Sequence, residues 1–291
     1  MGSLSDTSTP ATDSRSLAPA SLVEGSGTLP IKVQGPATAT PSSASSRPVA
    51  KRPRPTPTRS IGTVPRTLDG VPILMYHYIR VNPNPLDREG FSLSVTPSDF
   101  AAQMSYLSAH GYRSVTPQEI ISGAARSGRG KPVAITFDDG YEDAYTAAYP
   151  ILARHGFKAT FYIVSGFVGR PGYLTWDQIR TLANAGENIG SHTVNHADLL
   201  LADPLTLRLE LVDSKTAIQR EIGRPVLDFA YPSGEYDPTV EQAVRAAGYR
   251  TAVTTAYGFA QPSDDPLALP RLRVFGGMTL EGFAMWLSGL G

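Results

Sequence analysis

Two adjacent carboxylates follow an apolar run in VAITFDDG, where Asp138 and Asp139 come directly after Phe137. Like charges this close disfavour each other's ionised form, so such a pair usually has a compensating cation or a catalytic task. Further along, SHTVNH places His192 and His196 four residues apart. If a helical turn starts there, both imidazoles project from one face and can hold one cation. Two histidines and one aspartate would leave positions open for water or substrate, as in catalytic zinc sites.

The residue types suggest a division of roles within the aspartate pair. One aspartate can ligate the cation, whose charge lets the other remain ionised as a general base. Zinc is the favoured ion, and iron, cobalt and nickel are alternatives for the same ligand set. A purely structural reading stays open, because Asp139 and Glu142 also fit a helix capping box.

The chain has five histidines. His110 and His155 stand directly before glycines in the last turn of predicted helices, where a cationic ring suits the helix dipole. We assign these two a structural role. His77, which follows VPILMY, joins His192 and His196 in following a predicted strand.

Short β-rich runs alternate with amphipathic stretches and must position these side chains. Seven runs are predicted to be strands: residues 71–76, 132–137, 158–164, 188–191, 227–231, 249–254 and 271–275. The helical stretches before Gly111, Gly156, Gly186 and Gly248 have an apolar residue four positions ahead of the glycine, as expected for a glycine cap. This alternation predicts an α/β fold with parallel strands, favouring a barrel of about seven or eight β/α units over an open sheet. Because such folds gather their chemistry at the carboxyl ends of strands, the candidate residues should share one face.

Residues 1–65 differ in composition from residues 66–291. Ten of the 25 prolines lie before residue 66, and the first aromatic residue is Tyr76. A segment rich in Pro, Ser, Thr and Ala without aromatic residues buries too little apolar surface to offset its ordering entropy. We therefore predict a disordered linker over residues 1–65 and one folded domain over residues 66–291.

Charge and composition give no support for several classes of partner and of chemistry. The net charge is zero, which gives no argument for a nucleic-acid partner. No apolar run is long enough to span a bilayer, and the first residues lack the pattern of a secretory signal. Without cysteine there is neither a disulfide framework nor thiol chemistry. We expect a monomer.

TFDDG together with SHTVNH resembles the first two motifs of the NodB-like polysaccharide deacetylases, carbohydrate esterase family four. The resemblance implies a distorted (β/α) barrel and a metal-dependent hydrolase acting on N-acetylglucosamine-containing glycans, with acetate and a free amino sugar as products. Carried over by position, it implies that Asp138 is the base. It also implies that Asp139, His192 and His196 hold the cation.

The third motif departs from the family pattern, since FAYPSG has Ala230 in place of an arginine and Ser233 in place of a tyrosine. The family uses the backbone N–H at the position of Ser233 as an oxyanion donor, and a side-chain change does not remove that N–H. The resemblance places Tyr231 and Gly234 in the same substrate-contacting turn.

The departure at Ala230 leaves the base without its usual arginine partner. Arg271 or Arg273 in PRLRV is expected to replace it from another strand. We prefer Arg273, on the expectation that strand alternation makes only one of the two inward-facing.

The common pattern also has a catalytic histidine near the C-terminus, whereas no histidine follows His196. PILMYH is similar to the arrangement in the circularly permuted biofilm poly-N-acetylglucosamine deacetylases, where the N-terminal strand supplies the general acid. His77 is the matching residue.

Several alternatives stay open at this point. The substrate is expected to be an N-acetylated polysaccharide or oligosaccharide, namely biofilm glucosamine polymer, peptidoglycan or chitin fragments. A xylan-type O-acetyl ester or another linear or cyclic amide is the enzymatic alternative, and an inactive carbohydrate-binding domain is the alternative of another class. Tyr141, Tyr173 and Trp176 lie near strand ends and could stack on sugar rings or belong to the core. An extracellular or cell-envelope location follows from the substrate class alone.

Overall fold

The computed structural model describes residues 70–84 and 86–289. The predicted linker over residues 1–65 lies outside the described residues and stays a prediction. The strands are β1 (Ile73–Tyr76), β2 (Tyr78–Ile79), β3 (Ser94–Val95), β4 (Tyr112–Ser114), β5 (Lys131–Phe137), β6 (Thr160–Ile163), β7 (Asn188–Ser191), β8 (Asp228–Ala230), β9 (Thr251–Tyr257) and β10 (Leu269–Arg273). The α-helices are α1 (Arg88–Leu93), α2 (Pro97–Ala109), α3 (Pro117–Ile121), α4 (Tyr149–His155), α5 (Trp176–Asn184), α6 (Pro204–Ile222), α7 (Pro238–Ala246) and α8 (Leu280–Leu287).

Seven of these strands close into a parallel barrel in the order β1, β10, β9, β8, β7, β6 and β5, with β5 pairing back onto β1. Leu74 of β1 closes the ring, because it is in register with Leu272 on one side and with Ile135 on the other. These are the seven predicted strands. The prediction of a distorted (β/α) barrel is therefore confirmed, and the open-sheet alternative is wrong.

The first half of β5 extends beyond the barrel. Its first three residues pair with the short strand β4, and its last four pair with β1. The strands β2 and β3 form a separate parallel pair beside the barrel. These three short strands were not predicted from the sequence.

The side chains of the barrel strands alternate between two buried layers. Outward-facing residues such as Tyr76, Phe137 and Phe161 pack beneath the helices, and the Phe137 and Phe161 rings stack at 5.1 Å. Inward-facing residues such as Ile73 and Tyr162 form a second cluster inside the barrel. Alternation of this kind is the pattern expected for strands covered on both faces.

The glycines that were predicted to cap helices lie at the ends of helices. Gly156 takes up the left-handed conformation (φ 69°) that ends α4, and Gly111, Gly186 and Gly248 also have positive φ. The helix predicted over residues 141–155 begins later than expected. It starts with a π-helical turn over Ala144–Ala148 and continues as α4. Among the described residues, no helix combines the length and the hydropathy that a membrane crossing would need.

Candidate active site

The two adjacent carboxylates diverge at the carboxyl end of β5. The Asp138 N–H donates to the Tyr76 carbonyl at 3.0 Å, so Asp138 continues the pairing of β5 with β1. Asp139 then adopts a left-handed conformation (φ 71°), which is uncommon for a residue with a side chain. Because of this turn, the Asp138 carboxylate contacts an arginine, whereas the Asp139 carboxylate lies beside two histidines. Asp139 caps no helix, so the capping-box reading is wrong.

Asp138 forms a buried two-point ion pair with Arg271 of β10. The Nη1 and Nη2 groups donate to Oδ1 and Oδ2 of the carboxylate, each at 2.7 Å. The Arg271 side chain is held in place because Nε donates to the Thr254 carbonyl at 2.8 Å and Nη1 donates to Thr136 Oγ1 at 3.2 Å. Burial by itself would raise the pKa of Asp138, but the Arg271 guanidinium holds that pKa below its ordinary value. Asp138 is therefore ionised at neutral pH.

The structure corrects the choice between the two arginines. Arg271 is 1% exposed and contacts Asp138, whereas Arg273 is exposed to solvent. The preference for Arg273 rested on strand alternation, but residues two apart share a face of the strand, so alternation cannot separate them. Depth in the barrel separates them, because Arg273 is the last residue of β10 and Arg271 lies one pleat deeper.

Asp139, His192 and His196 form a compact donor set. Asp139 Oδ1 lies 3.3 Å from His192 Nε2 and 3.5 Å from His196 Nε2, and the two imidazole rings are 4.8 Å apart. The histidines come together through an irregular loop rather than the helical turn assumed from their spacing, since Thr193 (φ 69°) and His196 (φ 54°) are left-handed.

The donor set fits a divalent cation. His192 Nδ1 donates to the Ala230 carbonyl at 2.7 Å, which leaves the Nε2 lone pair directed at Asp139. Asp139 Oδ1 is buried and has no hydrogen-bond partner among the described residues. The three ligand atoms all lie within 4.8 Å of one another. A buried acceptor without a donor, facing two imidazole nitrogens, is what a cation would satisfy.

His77 directly follows β1, and its side chain lies close to the base, Asp138. Its Nε2 lies 4.0 Å from Asp138 Oδ2, and its Nδ1 is buried without a partner among the described residues. Burial lowers the pKa of His77, and the charges of Asp138 and Asp139 oppose that effect without reversing it. The structure thus brings His77 to the base and the donor set, as its place after a strand predicted.

The three residues of the FAYPSG turn have different surroundings. The N–H of Tyr231 donates to the Val253 carbonyl, and the N–H of Gly234 donates to the Tyr231 carbonyl. The Tyr231 ring is buried away from the barrel interior and stacks on Tyr236 at 4.7 Å, so its side chain cannot contact substrate. The N–H groups of Tyr231 and Gly234 are thus already engaged, whereas Ser233 is exposed and left-handed (φ 56°). The N–H of Ser233 is therefore the candidate oxyanion donor of the three.

An aromatic wall borders the donor set. Asp139, Asn195 and His196 share a pocket of about 220 Å³ with Tyr141, Phe167 and Tyr173. Tyr173 lies 5.1 Å from both Tyr141 and Phe167, measured between ring centroids. Trp176 does not line this pocket and is half-buried against the core. Two of the three aromatic residues considered from the sequence are therefore at the site.

Comparison with known proteins decides the family. A family model described as polysaccharide deacetylase matches residues 125–252. YxkH of Bacillus subtilis strain 168, whose name assigns it to the polysaccharide deacetylases, is 34% identical over 222 residues, which are 76% of this chain and 77% of YxkH. The chain belongs to the polysaccharide deacetylase family. Its resemblance to that family in TFDDG and SHTVNH is thereby confirmed.

Two further relatives of this polysaccharide deacetylase are informative. The structure of the Streptococcus pyogenes deacetylase PplD in complex with acetate is 33% identical, with a TM-score of 0.69 over 75% of this chain and 98% of PplD. A poly-β-1,6-N-acetyl-D-glucosamine N-deacetylase of Staphylococcus aureus strain MRSA252 is 24% identical over 198 residues, which are 62% of this chain and 68% of the relative.

Proposed function

We propose that this polysaccharide deacetylase hydrolyses acetamide groups of N-acetylglucosamine-containing glycans with the help of one divalent cation. The products are acetate and a free amino sugar. The observation that carries the proposal is the divergence of the two adjacent aspartates at the carboxyl end of β5. One is an ionised carboxylate held by Arg271, and the other faces two histidines.

Asp139, His192 and His196 would hold the cation, with zinc favoured and iron, cobalt or nickel as alternatives. When bound, such an ion supplies Lewis acidity and lowers the pKa of a coordinated water. The three residues suit this task because the pocket beside them, bordered by Tyr141 and Tyr173, leaves room for water or substrate.

Asp138 acts as the general base. It is ionised, buried and held at both oxygens, so its geometry toward an attacking water is set before substrate arrives. As the water oxygen bonds to the acetamide carbon, Asp138 accepts one of the water protons. The N–H of Ser233 stabilises the negative charge that develops on the carbonyl oxygen.

The protonated form of His77, which the charges of Asp138 and Asp139 favour, supplies the proton that the departing nitrogen needs. An amide releases its amine slowly unless that nitrogen is protonated, so the mechanism requires an acid on the side of the leaving group. The 4.0 Å separation between His77 Nε2 and Asp138 Oδ2 supports this role. The C–N bond breaks as the new C–O bond is retained, and acetate and amine are released.

The aromatic wall supports a sugar substrate, because the apolar face of a pyranose packs well on aromatic rings. The named activity of the staphylococcal relative supports a poly-N-acetylglucosamine substrate, and the acetate bound to PplD supports acetate as a product. A polymer of this kind implies an extracellular or cell-envelope location.

Acetate release from a glycan panel tests the function. The panel contains β-1,6- and β-1,4-linked N-acetylglucosamine oligomers, peptidoglycan fragments and acetylated xylan, each assayed with and without a chelator. We expect chelator-sensitive acetate release from at least one N-acetylglucosamine substrate. Release from xylan alone would establish the O-acetyl esterase alternative. Saturable glycan binding without acetate release would establish the alternative of an inactive binding domain.

A further inference from the structure

The loop between His192 and His196 has an unfavourable backbone. Thr193 (φ 69°) and His196 (φ 54°) are both left-handed, and neither is a glycine. Left-handed conformations are costly for residues with a Cβ atom and persist only where surrounding contacts hold them. One such contact is internal to the loop, where Thr193 Oγ1 accepts the N–H of His196 at 2.9 Å.

The principal external contact comes from Glu210, in the second turn of α6. Its Oε2 accepts the N–H groups of Val194 and Asn195, each at 2.9 Å, and its Oε1 accepts Asn195 Nδ2 at 2.7 Å. All three donors belong to the two residues at the centre of the loop. One carboxylate therefore binds the backbone immediately before His196.

Glu210 is unusual among the buried residues of its helix. It is 6% exposed and lies among Leu207, Leu211, Ser214 and Ile218 on the buried face of α6. No cationic side chain pairs with it among the described residues. A buried carboxylate is costly unless hydrogen bonds satisfy it, and the hydrogen bonds that the Glu210 side chain accepts from the described residues come from the loop.

A second contact ties the same helix to the other histidine. The hydroxyl groups of Ser214 and Ser191 lie 2.8 Å apart, and Ser191 directly precedes His192. Helix α6 therefore contacts the chain beside both histidines. Ser214 contacts the residue before His192, and Glu210 contacts the residue before His196. The two attachments lie beside the two histidines in the chain.

We propose that Glu210 is a positioning residue that holds His196 in the geometry needed to bind the cation. This inference rests on the proposed cation site. Glu210 belongs neither to the group of possible ligands nor to the lining of the pocket, so it acts through the loop, and its loss should reduce the affinity of the site for metal. Residues that orient metal ligands commonly contribute about 10- to 100-fold to metal affinity.

The test measures zinc affinity of the full chain, by competition with a chromophoric chelator after metal has been removed. Glu210→Gln keeps the size of the side chain but replaces one acceptor oxygen with an NH₂ group. This group is a donor and would face the N–H donors of Val194 and Asn195. We expect the dissociation constant for zinc to rise about tenfold. The rise in melting temperature that zinc produces should shrink in parallel.

Glu187→Gln is the matched control. Glu187 is also buried and accepts a backbone N–H, that of Ala159, at 2.7 Å, together with Lys158 Nζ at 3.0 Å. It lies at the amino ends of β6 and β7, away from the histidines. We expect this variant to lose thermal stability and to keep the wild-type affinity for zinc.

The outcomes separate this inference from the proposed function. Wild-type affinity in Glu210→Gln, or equal weakening in Glu187→Gln, would overturn the role of Glu210 and leave the cation site intact. Failure of the wild-type protein to bind zinc would overturn the cation site and this inference with it. If Glu210→Gln does not fold, Glu210→Asp takes its place. Its shorter side chain keeps the charge but cannot reach all three donors, so unchanged zinc affinity would again overturn the proposal.

Discussion

Both oxygens of the Asp138 carboxylate accept hydrogen bonds from the Arg271 guanidinium, at 2.7 Å each, although the two residues are 133 positions apart in the chain. The pair is buried, and Arg271 is itself anchored to Thr254 and Thr136. A forked contact of this kind fixes both the charge and the orientation of the carboxylate.

Arg271→Lys should lower kcat by about 100-fold, because a single ammonium cannot hold both oxygens of the base in place. The guanidinium keeps the pKa of Asp138 low, so its loss should raise that pKa. The acidic limb of the pH–rate profile should therefore move to higher pH. Arg273→Lys is the control and should leave both the rate and the acidic limb near their wild-type values. An unmoved acidic limb in Arg271→Lys would contradict the role assigned to this arginine.

The adjacent aspartates should respond differently to the same substitution. Asp138→Asn should abolish acetate release while the metal content of the purified protein survives. Asp139→Asn should lose the metal, because it removes the charged oxygen that faces both histidines. Elemental analysis beside an acetate assay distinguishes the two. Loss of metal in Asp138→Asn would mean that the two roles are reversed.

His77→Ala should depress the rate yet leave metal affinity nearly intact. The residue lies near the base but outside the group of possible ligands. Removal of a general acid typically costs about 100- to 10,000-fold in rate. Rate and zinc affinity should be measured on the same preparation, since unchanged hydrolysis would remove His77 from the mechanism.

A buried carboxylate at the opposite end of the barrel should make stability depend on pH. Burial raises the pKa of Asp228, although Gln118, Asn188 and Thr251 all donate to it. A carboxyl whose folded pKa is raised contributes stability below its unfolded pKa and loses it as the pH rises through the folded pKa.

Asp228→Asn cannot ionise at this position. The free energy of unfolding of the wild type relative to Asp228→Asn should therefore fall as the pH rises from about 4 toward neutrality. Urea unfolding of both proteins at a series of pH values measures this difference in the free energy of unfolding. Parallel curves for the two proteins would show that the pKa of Asp228 is not raised in the folded state.

Much of this architecture could be predicted from the sequence. The seven barrel strands are short apolar runs separated by glycine-capped helices, and both signals are local. The convergence of His77, the aspartate pair and the two histidines was also predictable, because the carboxyl ends of parallel strands in a barrel open onto one face.

The remaining features depend on contacts that local patterns do not encode. The choice of Arg271 over Arg273 depends on depth in the barrel, which is set by pairing registers such as Met75 with Arg273 and by the irregularity between Leu269 and Arg271. Glu210 resembles any charged residue of an amphipathic helix until the fold places the histidine loop against it. The buried ring of Tyr231 likewise follows from packing rather than from its motif.

The most direct test of the account is metal analysis of the full chain before and after exhaustive dialysis against EDTA, with acetate release measured on the same samples. We predict about one divalent ion per chain, loss of activity with loss of the ion, and recovery when zinc is restored. An ion-free sample that releases acetate at the undialysed rate would contradict the central claim that Asp139, His192 and His196 bind a cation essential for catalysis.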